Sequence, residues 1–107
     1  MTQYNKQSDG QEIPVVGVVD AQVYPLGYQQ ITATAAAVGL TPPAGARIAQ
    51  IDAEAQPVRW RDDGSNPTAT VGMRIPVGSE LKYSGDLSAI KFIAETAGAI
   101  LNVSYYG

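Results

Sequence analysis

The stretch ARIAQIDAEAQPVRWRDDGSNP, residues 46–67, decides the fold. In an extended chain Ala49, Ile51, Ala53 and Ala55 share one side, while Arg47, Gln50, Asp52 and Glu54 lie mostly on the other. A two-residue period marks a half-buried strand, because successive side chains of a strand point to opposite faces. Ile48 interrupts the alternation, so part of the second face is covered too. Val58 and Trp60 then alternate with Arg59 and Arg61. Asp62-Asp63-Gly64-Ser65-Asn66-Pro67 follows, a run of residues that each favour turns for a separate conformational reason. The reading is strand, break, strand, turn.

The same grammar extends in both directions. Towards the C-terminus, Val71, Met73, Ile75 and Val77 alternate along Thr70–Val77, and Leu81 and Tyr83 oppose Glu80 and Lys82. Ser84-Gly85-Asp86 turns the chain. Asp86–Thr96 fits a helical period nearly as well as a strand, but its Ile, Phe and Thr content favours a strand over Ile90–Glu95. Ala99–Tyr106 alternates Ala99, Leu101, Val103 and Tyr105 against Ile100, Asn102, Ser104 and Tyr106, as a final strand. Towards the N-terminus, Thr41–Gly45 is a turn, Ala35–Leu40 is small and apolar, and Gln30–Thr34 alternates around Ile31 and Ala33. Pro25-Leu26-Gly27 reads as a turn, and Ile13–Tyr24 as an extended, β-branched segment containing Pro14 and Gly17. Short strands between frequent turns describe an all-β chain: an antiparallel β-sandwich or jelly-roll-like barrel over residues 28–107, with an extended N-terminal arm over residues 1–27. The predicted core is Ile51, Val58, Trp60, Val71, Met73, Ile75, Leu81, Phe92, Leu101 and Val103.

Composition narrows the chemistry. At 107 residues the chain has the size of one domain. It has no Cys and no His, which removes disulfides, zinc–thiolate and imidazole metal sites, thiol nucleophiles and Ser–His–Asp catalysis. A net charge of −3 speaks against nucleic acid as the partner. The longest apolar runs fall far short of a membrane span, and the polar start of the chain is unlike a signal peptide, so the chain reads as made in the cytoplasm with no membrane partner. Charged residues are only 16% of the chain, which suits a protein that hides part of its surface against a partner.

Four constellations invite a functional reading. Asp62-Asp63-Gly64 has the carboxylates of a calcium loop but lacks the further acidic ligands, and turn geometry explains it alone. Arg59-Trp60-Arg61 has three readings: a stacking platform for nucleic acid, a core Trp between two arginines that lie on the surface or pair with acids such as Asp62 and Asp63, or two guanidiniums offered to a partner's carboxylates. The acids Asp52, Glu54, Asp62, Asp63, Glu80, Asp86 and Glu95 show no spacing that pairs two of them for acid–base work, and no enzyme is expected. Tyr4, Tyr24, Tyr28, Tyr105 and Tyr106 gather at the two ends of the chain, where amphipathic rings serve either a contact surface or ordinary sheet faces. With Ile13, Val15, Val16, Val18 and Val19 of the arm and with Arg59 and Arg61, these tyrosines are the candidate partner contacts. No cofactor is expected.

The blocks PPAGARIAQIDAEAQPVRWRDDGSNPTATVG (Pro42–Gly72), VGSELKYSGDLSAIKFI (Val77–Ile93) and the terminal LNVSYY resemble small structural proteins encoded by tailed bacteriophages. The resemblance runs from Ile31 to Tyr106 and leaves out the N-terminal thirty residues. It implies a small β-sandwich that decorates the capsid as a cement protein, with the major capsid protein or other virion subunits as partners, or that sits at the head–tail junction, tail tip or fibre. It carries no catalytic motif. A homotrimer in the virion is expected, because capsid seams meet at three-fold points and closed contacts hide sheet edges. A reading from another class is a β-sandwich carbohydrate-binding module.

Overall fold

The computed structural model describes residues 22–107. These form eight strands and no helix: β1 (Pro25–Ala33), β2 (Val38–Gly39), β3 (Ile48–Glu54), β4 (Val58–Arg61), β5 (Met73–Ile75), β6 (Glu80–Tyr83), β7 (Lys91–Ala94) and β8 (Ala99–Tyr106). Tyr4, Ile13, Val15, Val16, Val18 and Val19, and with them most of the expected arm, lie outside the described residues.

The pairing has a simple logic. The chain doubles back on itself at the β4–β5 connection, pairing β4 with β5, β3 with β6, β2 with β7 and β1 with β8, all antiparallel. This long hairpin is rolled so that β8 also pairs with β3 and β7 with β4. Two four-stranded sheets result, in the orders β1-β8-β3-β6 and β2-β7-β4-β5. This is the jelly-roll form of a β-sandwich.

Register decides what is buried. β8 alternates without exception: Ala99, Leu101, Val103 and Tyr105 are buried, and Ile100, Asn102, Ser104 and Tyr106 half-buried. β3 does the same, with Ala49, Ile51 and Ala53 inward. The inward residues of the two sheets meet in one core, filled by Tyr105, Phe92, Ile51, Ile90, Leu101, Val58 and Val103. At one end Trp60 packs edge-on against Tyr83 across the sandwich, with ring centroids 5.9 Å apart.

Four expectations change. Pro25-Leu26-Gly27 is the start of β1, not a turn; a register shift between Pro25 and Gly27 accommodates a proline that has no N–H to give, on an edge strand where none is demanded. The strand expected over Thr70–Val77 shrinks to Met73–Ile75. Gly72, at φ 142°, and Pro76 bracket it. Val71 and Met73 are therefore exposed, not core: β5 is an edge strand too short to carry them under the other sheet. Trp60 and Leu81 pack against the core from its margin. The strand expected over Ile90–Glu95 is present as β7, Lys91–Ala94, and is preceded by a single turn that the Ala89 N–H closes on the Asp86 carbonyl.

Candidate interaction surface

The two outer faces of the sandwich differ in chemistry because the register sorts charges by parity. On the β1-β8-β3-β6 sheet, Gln50 pairs with Lys82 and Ser104, and Asp52 pairs with Glu80 and Asn102. Asn102 is the hub of this face. Its Oδ1 accepts hydrogen bonds from the Tyr28 hydroxyl (2.6 Å) and from Gln30 Nε2 (3.0 Å). Its Nδ2 donates to Asp52 Oδ1 (3.0 Å) and Glu54 Oε1 (2.9 Å). Gln50 donates to Glu80 beside it. Together Tyr28, Gln50, Asp52, Glu80, Asn102, Ser104 and Tyr106 line a shallow hollow of about 260 Å³.

The outer face of the second sheet is basic. Cross-strand pairing brings Arg59 beside Arg74, and Arg61 beside Lys91. The arginines are already engaged. Arg59 and Arg74 share Glu95 Oε2 at 2.9 and 2.8 Å, and Arg59 Nη1 donates to the Gly72 carbonyl at 3.0 Å. The hydrogen bond from Arg74 outweighs the opposing effect of burial and, with the charges of both arginines, holds the Glu95 carboxyl below the usual carboxylate range. Arg61 closes a bidentate pair on Asp63, at 3.0 and 2.5 Å, and that bond holds the Asp63 carboxyl low. Arg59 and Arg61 thus meet carboxylates of their own chain. The core-Trp reading of this triplet fits the geometry best.

The apolar surface lies on two edges. Among the described residues, the large exposed apolar side chains fall in two groups of three: Tyr24, Leu26 and Tyr28 in and just before β1, and Val71, Met73 and Val77 in and around β5. β1 and β5 are end strands of different sheets. Tyr24 is 61% and Tyr28 63% exposed, and Tyr24 exchanges two backbone hydrogen bonds with Gly107 (2.8 and 3.0 Å). The residues that lead into β1 therefore lie beside those that follow β8.

Tyr105 corrects the tyrosine reading. It is 1% exposed, because the strict alternation of β8 turns it inward, and so it is not on the surface of the domain. Its hydroxyl donates to Gln29 Oε1 at 2.6 Å, and burial pushes that hydroxyl's pKa up. Tyr106, its neighbour, faces the acidic hollow. The Asn102 hub was missed in sequence reasoning; its signal was an amide at an outward position of the last strand.

Among the described residues no group of three or more acidic side chains is placed to hold a metal ion. Asp62, in the expected turn, accepts the Tyr83 hydroxyl at 2.7 Å instead. No family model matches the chain, and no curated protein or solved structure is significantly similar to it.

Proposed function

We propose that this chain is a structural protein of a tailed-phage virion, a capsid decoration (cement) protein that bridges neighbouring capsomers as a homotrimer and catalyses nothing. The observation that carries the reading is the apolar β1 edge, Tyr24, Leu26 and Tyr28, standing exposed where the preceding residues join the domain. An edge strand flanked by exposed aromatics is a surface that a soluble monomer avoids and an assembly uses. The described polar side chains bond mainly to one another, as on the Asn102 hub, and leave the adhesive chemistry to the edges. Jelly rolls are recurrent in viral shells, which adds fold-level analogy to this argument and nothing more.

The test is binding of the purified chain to undecorated capsids of the phage whose genome carries it, with and without residues 1–21. The full chain is expected to sediment with the shells. The shortened chain is expected to stay in the supernatant while keeping a β spectrum. Failure of the full chain to bind overturns the reading.

A second reading has one observation in its favour. The hollow on the acidic face combines two tyrosines with Asn, Gln and carboxylate groups, a set that suits sugar rings and their hydroxyls. Retention on immobilised glycans, lost in Tyr28→Ala and Asn102→Ala, favours a carbohydrate-binding module over cement.

A further inference from the structure

The β5 edge has the features of an acceptor. Met73 pairs with Trp60, and Trp60 with Phe92, so all three point to the interior side of their sheet. Phe92 is fully buried, yet Met73 is 62% exposed. An inward-facing side chain in solvent means that the sandwich lacks cover on this side. Val71 (51%) and Val77 (52%) extend the uncovered strip on either side of β5. A hollow of about 410 Å³ runs along Trp60, Val71, Gly72 and Met73 and is also lined by Arg61 and by Asp62 and Asp63, whose carboxylates are engaged by Tyr83 and Arg61. Among the described residues nothing pairs with the outer edge of β5.

The chain also contains a segment suited to that edge. Ile13–Val19 reads IPVVGVV, seven residues without a polar side chain, bracketed by Glu12 and Asp20. Such a segment is a natural added strand, since an edge supplies its backbone partners and an apolar strip its side-chain contacts. Charge selects the same place. The sheet that ends in β5 carries Arg59, Arg61, Arg74 and Lys91 on its outer face, against Glu95 and Asp63. The other outer face presents Asp52, Glu54 and Glu80 with one lysine, Lys82, and so repels Glu12 and Asp20.

Position selects the donor. Residues 1–21 join the domain at the β1 side, and β1 and β5 end opposite sides of the two sheets. Within one copy, a strand laid from β1 towards β5 across the first sheet would cross the acidic face. Between copies, the β1 side of one molecule can face the β5 side of the next. With Ile13–Val19 laid along an edge, only Asp20–Gln22 remain to link it to its own domain, roughly 10 Å when extended and less than the roughly 15 Å across a four-stranded sheet. A donor edge and a different acceptor edge form a heterologous contact, which closes into a ring when the rotation between copies allows.

We propose that Ile13–Val19 of a second copy adds as a strand to the free edge of β5 and covers Trp60, Val71 and Met73. This rests on the self-association proposed above and names its site.

The chain has no cysteine, so single introduced cysteines report one contact at a time. Val16→Cys, carrying a size tag, is mixed with untagged Met73→Cys and oxidised. Val15→Cys covers the other strand face, and Val71→Cys gives a second acceptor. Thr32→Cys on the acidic face is the control. A docked arm raises the local thiol concentration to about the millimolar range, so the mixed disulfide is expected to form about 100-fold faster than the control at ten-micromolar protein. Light scattering runs in parallel on the unmodified chain. A trimer whose mixed disulfides form no faster than the control shows that copies associate elsewhere, and sinks this site alone. A monomer sinks both the site and the self-association. A disulfide confined to the Val16→Cys/Met73→Cys double variant at all dilutions shows that the arm covers its own β5, and overturns the second-copy assignment.

Discussion

Tyr83→Phe isolates a side-chain hydrogen bond that ties the two sheets at the Trp60 end. Tyr83 lies on β6 of one sheet, and its hydroxyl donates to Asp62 Oδ2 at 2.7 Å, just beyond β4 of the other. Phenylalanine keeps the ring against Trp60, so the apolar contribution is unchanged. What is lost is a hydrogen bond to a charged acceptor. Such bonds contribute about 1.5–3 kcal/mol when well buried, and Asp62 is exposed and regains water, so a cost of about 1 kcal/mol is expected. For a domain of this size that lowers Tm by about 4–8 °C. The phenol also carries a pH signature. Burial first, then the hydrogen bond and charge of Asp62, push its pKa up to about 12. In the unfolded chain a tyrosine loses its proton near pH 10. The folded state therefore binds more protons between about pH 10 and about pH 12, and stability falls as pH rises through that window. Below about pH 10 the contribution is complete. Urea melts of both proteins, from neutral pH to about pH 11, should show a constant gap that narrows only above about pH 10. A Phe variant within about 0.3 kcal/mol of the parent at neutral pH, with no alkaline narrowing, refutes the tie between the sheets.

Phe92→Ala empties the centre of the core and should cost roughly 3–5 kcal/mol in a denaturant melt, whereas Val77→Ser, in a solvent-exposed loop, should stay within about 0.5 kcal/mol. Gly72→Ala forces a Cβ to within 3.1 Å of the Trp60 carbonyl oxygen at a φ of 142°, and thermal melting should show a loss of about 1–3 kcal/mol. Calcium or a chelator should leave Tm unchanged, because the Asp62 and Asp63 carboxylates are occupied by Tyr83 and Arg61; a rise in Tm with calcium would reveal native-state binding there.

Much of the fold was legible because the pleat prints its period on the sequence. β3 and β8 each bury one parity, and their alternation of apolar and polar residues says so directly. β2 was not legible: Val38–Gly39 is two residues long, and its place in the sheet comes from pairing with β7, a long-range fact. β5 misled for the opposite reason. Val71, Met73, Ile75 and Val77 alternate as a core strand should, but Gly72 and Pro76 cut the strand short at a sheet edge, and only Ile75 is covered. The surface was harder still. The pairing of Arg61 with Asp63, two residues away, was legible in the sequence, but only the fold brings Glu95 to Arg59. Tyr105 and Tyr106 look equivalent in sequence, and only the parity of β8 sends one into the core and the other to the surface. The two apolar edges are visible only once the sheet order shows which strands end the sheets.

The proposed decoration role is tested most directly by a cryo-EM map of tailed-phage particles produced by the source that encodes this chain. The account predicts jelly-roll density on the outside of the capsid, three copies around each occupied three-fold point, with the β1 edge turned towards the shell or a neighbouring copy. Density for this fold at the tail tip or fibre, or a capsid whose seams carry none of it, contradicts the account.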